Sequence, residues 1–167
     1  MDDAMSRNSG FTLIELIVTI AIVAILASAT MPLLQLTVQR NKESELRANL
    51  RQVRDAIDAY KTAYDEGRIE LKMEGKSGYP PNLEVLVEGV EDKSDPNLKR
   101  KLKFLRRIPN DPMLPKSEAG STIDANSMWG IRSYDSSADS PEAGEDVYDI
   151  YSLSLLTGTN GIPYAQW

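Results

Sequence analysis

From Leu16 to Leu34 the chain carries no charged residue, and directly in front of that run stands Gly10-Phe11-Thr12-Leu13-Ile14-Glu15. At about 1.5 Å per residue, a helix over this run crosses most of a bilayer. Its mouth holds a helix-breaking glycine, an aromatic residue and one carboxylate. A charge inside an apolar span is costly, so Glu15 calls for a partner or a function. No other part of the sequence limits the fold so strongly.

Residues 10–32 resemble the N-terminus of type IV prepilins and of the pseudopilins of type II secretion systems. The resemblance rests on leader polarity, Gly10, Phe11, Thr12-Leu13 and Glu15 in register, with Pro32 at a recurrent proline position. It implies a polar leader over 1–10, cut after Gly10 by a membrane prepilin peptidase. The new terminus, Phe11, is then N-methylated. Glu15 becomes the fifth residue of the mature chain. Two blander readings compete: a secretory signal peptide cut near Ala27-Ser28-Ala29, and an ordinary single-span anchor. Neither accounts for Gly-Phe-Thr-Leu-Ile-Glu.

Cleavage would leave a positive α-amino group on Phe11, one helical turn from Glu15. An unpaired buried charge is strongly disfavoured. The resemblance implies that Glu15 meets the terminal amine of a neighbouring subunit and sets its register in a filament. The simpler alternative is that Glu15 complements the dipole at the helix N-terminus.

Beyond Arg40 the pattern turns amphipathic. Leu46, Leu50, Val53, Ile57, Tyr60 and Tyr64 recur at steps of four and three, which is one helical stripe. Opposite charges four apart (Glu43 with Arg47, Arg51 with Asp55, Arg54 with Asp58, Lys61 with Asp65) are expected on the other faces. Pro32 is a candidate kink and Gly67 a stop. The spacing predicts one helix from about Phe11 to Glu66.

Net charge is −6, which argues against nucleic acid as a partner. The absence of histidine and cysteine removes the usual nucleophile–base pairs, disulfides and most transition-metal sites. After 67 come a turn at Tyr79-Pro80-Pro81-Asn82, a short helix around Leu83–Val87, a strand or extended segment at Phe104–Ile108, and strands at Met128–Tyr134 and Val147–Ser152. The expected fold class is α+β. A long N-terminal helix, transmembrane in its first half and amphipathic in its second, packs against a small antiparallel sheet of about three strands. The expected divisions are leader 1–10, transmembrane and assembly helix 11–34, amphipathic periplasmic helix 35–66 and globular domain 67–167.

The order Tyr-Pro, Phe-Leu-Arg-Arg-Ile-Pro-Asn-Asp-Pro, Trp-Gly and Val-Tyr-Asp-Ile-Tyr-Ser is similar to the G-type (major) pseudopilin of type II secretion. That resemblance implies a structural subunit, not an enzyme. Its partners would be copies of itself, minor pseudopilins, the prepilin peptidase and an inner-membrane assembly platform. Its location would be the bacterial inner membrane, single-pass, with the domain in the periplasm. The family also implies a calcium ion in a late loop. Here the segment after Tyr151 lacks acidic residues, so weak calcium candidates fall earlier, at Asp135, Asp139, Glu142, Glu145, Asp146 and Asp149. A solvated acidic loop is the alternative. The basic run Lys99–Arg107 is a candidate to meet this acidic loop on a neighbouring subunit. Rival functions are a type IV pilus or competence pilin, and a membrane-anchored periplasmic binding or sensor module with Trp129, Tyr134, Tyr148 and Trp167 lining a pocket. An acid/base pair of Asp139 with Asp149 has no spacing to support it.

Overall fold

The computed structural model describes residues 10–69, 77–94, 101–114 and 128–167, with the side chains of 29–33 outside the description. The chain divides into two units, Met1–Gln39 and Arg40–Trp167. Helix α1, Leu13–Asp65, contributes residues to both. The architecture is α+β, a long N-terminal helix with small antiparallel sheets, as expected of the pilin-like fold.

The start and end of α1 follow from local chemistry. Thr12 caps it: the Glu15 amide donates to Thr12 Oγ1 at 3.3 Å, and the Leu16 amide to the Thr12 carbonyl at 3.2 Å. Gly67 ends it as the spacing predicts, with φ of 71°. The Arg68 amide reaches back to the Ala63 carbonyl and the Gly67 amide to the Tyr64 carbonyl, both at 2.9 Å. This pair satisfies two orphan carbonyls and needs a left-handed residue, which glycine supplies without strain. The kink expected at Pro32 falls on residues whose side chains are not described.

The second unit is built on the amphipathic stripe. Leu46, Leu50, Val53, Ile57 and Tyr60 are buried, joined by Ala56 and Ala63, while Tyr64 packs at the edge. Against them lie Leu83 and Leu86, Leu105, Trp129, Val147, Ile150 and Tyr164. Helix α2, Glu84–Glu88, follows the Tyr-Pro-Pro turn, and Asn82 Oδ1 accepts the Val85 amide at 3.0 Å.

The expected single sheet of about three strands is instead two antiparallel pairs among the described residues. Strand β1, Val90–Glu91, pairs with β2, Lys101–Leu102. Strand β3, Trp129–Arg132, pairs with β4, Asp149–Ser152, setting Gly130 opposite Tyr151 and Arg132 opposite Asp149. The extended segment Phe104–Ile108 is not a strand. Its Phe104 and Leu105 amides both donate to the Leu86 carbonyl at 2.9 Å, so α2 takes the hydrogen bonds that a sheet neighbour would have taken. Gly130 is required by packing: a Cβ there would lie 2.3 Å from the Tyr151 ring. Near the end of α1, Arg68 pairs with Asp92 at 2.9 Å. Hydrogen bonds from Ser94 and then Arg68 lower the Asp92 carboxyl to about 2.

Of the four charge pairs expected along the helix, Lys61 with Asp65 forms. Glu43 and Arg54 turn away from their own helix. Arg54 donates to Asp149 Oδ1 at 2.7 Å, to the Ile150 carbonyl at 3.0 Å and to the main-chain oxygen of Trp167 at 2.8 Å. The preference is physical: an i,i+4 pair on a solvated face is worth a few tenths of a kcal/mol, whereas Arg54 satisfies three acceptors in a half-buried setting.

Candidate assembly site

Gly10 and Phe11 precede the helix as exposed, non-helical residues. A Cβ added to Gly10 would meet nothing within 4 Å, and its φ is not in the left-handed region. The described fold therefore places no demand for glycine at this position.

Glu15 lies in the first turn of α1. Its amide is tied to Thr12, which makes Thr12-Leu13-Ile14-Glu15 the sequence of a capping box, with Phe11 and Leu16 at the two positions of a hydrophobic staple. The bond shown is made by the Glu15 main chain, and its carboxylate lies in the first helical turn, where an acid complements the helix dipole.

The rest of the segment is apolar on every face. From Phe11 to Leu26 each large hydrophobic residue is between 48% and 83% exposed. The two hydroxyls within 16–28 are turned back on the helix itself, Thr19 Oγ1 donating to the Leu16 carbonyl at 2.9 Å and Ser28 Oγ to the Ile25 carbonyl at 2.7 Å. An apolar neighbour would therefore meet no unsatisfied hydroxyl there. Glu15 is the single charged side chain in 13–28. Among the described residues no helix is long and apolar enough to cross a membrane. The described apolar side chains run over 13–28, a rise on the order of 24 Å against ~30 Å of hydrocarbon.

The other residues singled out in the sequence do not come together. Among the described residues no three carboxylates converge as a metal-binding group. Asp149 lies between Arg54 at 2.7 Å and Arg132 at 3.2 Å. Asp146 accepts from the Ser77 hydroxyl and, at 2.9 Å, from the Tyr134 amide. Asp135, Asp139, Glu142 and Glu145 are exposed. The structure places the four aromatic residues in different surroundings. Trp129 is in the core, with its indole N–H donating to the Pro109 carbonyl at 2.9 Å. Tyr134 and Tyr148 cluster with Tyr79, and Trp167 packs edge-on against Tyr164 with Arg47 over its ring at 4.1 Å. Of the basic run, Lys99 and Arg100 lie outside the described residues.

One site escaped the sequence reading. Glu43 is buried and accepts three hydrogen bonds from the late chain: the Thr159 amide at 2.7 Å, the Thr159 hydroxyl at 2.6 Å and the Tyr164 hydroxyl at 3.0 Å. Burial pushes its pKa up, but the bonds from Thr159 and Tyr164, with the charge of Arg47, outweigh this and leave it lowered. The available signal was position. Glu43 sits three residues before Leu46, on the apolar stripe itself.

The prokaryotic N-terminal methylation motif matches residues 5–31. The type II secretion system core protein G of Aeromonas hydrophila is 30% identical over 106 residues, covering 64% of this chain and 68% of that protein. The core protein G of Klebsiella pneumoniae is 29% identical over 108 residues, 65% of this chain and 71% of its own length. The type IV major alpha-pilin of Moraxella bovis is 31% identical over 94 residues, 56% and 57% of the two chains. No solved structure gives a significant match. The methylation motif covers the glycine that the fold does not require, the likeness to core protein G continues through most of the chain, and this chain belongs to that pseudopilin family.

Proposed function

We propose that the chain is a structural subunit of a type II secretion pseudopilus. A prepilin peptidase cuts after Gly10 and methylates Phe11. Residues 11–34 hold the subunit in the inner membrane, with the remainder in the periplasm. An assembly platform then passes it into a filament with copies of itself and minor pseudopilins. The observation that carries this reading is the first half of α1, apolar all round with self-satisfied hydroxyls and one acid. Such a surface is supported either by lipid or by like helices. In the filament the Glu15 carboxylate pairs with the Phe11 amine of a neighbour, so that neither charge stays alone in apolar surroundings.

The test has two arms. Mass analysis of the protein from its native cell should find a chain starting at methylated Phe11. Glu15→Ala should leave that processing intact and reduce incorporation into filaments at least tenfold. Normal incorporation of the variant refutes the pairing, and an intact leader in a processing-competent host refutes the subunit reading.

The likeness to the Moraxella bovis pilin supports a second reading, a type IV pilus or competence pilin with the same N-terminal physics. Deletion of the gene for this chain separates the two: loss of type II export with pili intact supports the first, and loss of pili with export intact supports the second.

A further inference from the structure

The calcium ion implied by the family has no fitting donor set in the late loop of this chain. Calcium takes six to eight oxygens, several of them charged. Residues 153–163 contain no carboxylate. Several of their side-chain oxygens are also engaged within the chain. Ser154 Oγ accepts the Leu156 amide at 3.4 Å, and Asn160 Oδ1 accepts the Ile162 amide at 3.1 Å. At the start of the loop, Ser152 Oγ donates to Asp111 Oδ2 at 2.5 Å and accepts the Ser154 amide at 3.1 Å.

Two carboxylates do reach this loop, and both come from elsewhere. Asp111 is buried, holding Ser152 with one oxygen and the Met113 amide at 2.8 Å with the other. Glu43, from the second half of α1, holds Thr159 and Tyr164. Both oxygens of each carboxylate accept from protein N–H and O–H groups. The two acids are thus engaged in fastening the chain to itself, and among the described residues no cluster of three acids forms that could hold a metal ion. Between the two anchors the loop closes on itself: the Gly158 amide donates to the Ile162 carbonyl at 2.9 Å and the Tyr164 amide to the Leu156 carbonyl at 3.1 Å.

We infer that a metal-independent latch replaces the calcium site in this chain, with Glu43 and Asp111 as imported carboxylates that fasten the loop 152–164 to α1 and to the Asn110-Asp111-Pro112 turn. A loop for which the family resemblance implies a cation is held here from within. The inference stands on carboxylate geometry in the second unit and is independent of the polymer reading.

The experiment is thermal unfolding of the full chain in detergent, with millimolar calcium and with EGTA, together with hydrogen exchange across 157–167. The unaltered protein should melt at the same temperature in both conditions. Glu43→Gln keeps the shape but removes the negative charge and one accepting oxygen, so the charge-assisted bonds from Thr159 and Tyr164 are weakened and the Thr159 hydroxyl must reverse. It should lower the melting temperature by about 5 °C or more and speed exchange at least tenfold in 157–167. Thr159→Val, which removes the hydroxyl without changing the outline, should do the same to a smaller extent and serves if Glu43→Gln does not fold. A rise of several degrees with calcium in the unaltered protein overturns the inference. So does unchanged melting and exchange in both variants.

Discussion

The two halves of α1 are one continuous helix in secondary structure and opposite in what they do with apolar side chains. Over 13–28 such residues face every direction and remain exposed. Over 46–63 they form one stripe, and Leu46, Val53 and Ile57 are fully buried within the chain. Helix propensity does not distinguish them. The angular distribution of apolar residues does: a stripe is satisfied by one small domain, while a fully apolar cylinder needs neighbours on all sides. The first half is therefore unfinished as a monomer and the second half is complete.

This contrast can be broken most sharply by the same substitution in each half. Ile57→Ala removes buried methyl groups from the core and should cost about 2–5 kcal/mol of unfolding free energy, read by denaturant titration of the full chain in detergent. Ile22→Ala, in the exposed half, should leave that transition within about 0.5 kcal/mol. Equal losses would show that the first half is also part of a packed core. Arg54→Ala comes next. It strips three hydrogen bonds that join α1 to β4 and the Trp167 main chain, and should cost about 1–2 kcal/mol, since the site is partly solvated. No loss would mean that the Arg54 bonds add nothing to what the apolar stripe and Glu43 already supply.

The smallest expected effect is in acid. The Glu43 carboxyl is lowered below its ordinary 4.5, so its contribution is complete above that value and is lost as the pH falls through the lower folded value. The groups facing it are Arg47 on its own helix and Thr159 and Tyr164 from the late chain. The gap in melting temperature between the unaltered protein and Glu43→Gln should thus be widest near pH 7 and narrow toward pH 3. A gap that widens on acidification would reverse the assignment.

Much of this was legible because it depends on local pattern. The glycine stop at 67, the stripe from Leu46 to Tyr64, and the strands near Trp129–Arg132 and Asp149–Ser152 follow from periodicity and turn chemistry, and the structure has them within a few residues. The pairing was not legible. Two strands and a turn can be read from residues nearby in sequence, but whether Phe104–Leu105 joins a sheet or docks on Leu86 depends on which acceptor arrives in space. The expected pair of Arg54 with Asp58 failed for the same reason, while Lys61 with Asp65 formed. Arg54 has Asp58 four residues on, yet its carboxylate is Asp149, ninety-five residues away. Glu43 was read as a solvated partner of Arg47 because spacing alone cannot show that the late chain closes over it.

Sequence alone determined the methylation motif, the single acid at the start of the apolar run, the approximate span of α1 and the family, since each is written in contiguous residues. Tertiary structure alone decided that Gly10 is unneeded by the fold, that the sheet splits in two, and that Glu43 and Asp111 hold the late loop. Those are facts about which groups exclude water from one another across the chain, and burial is a property of neighbours in space.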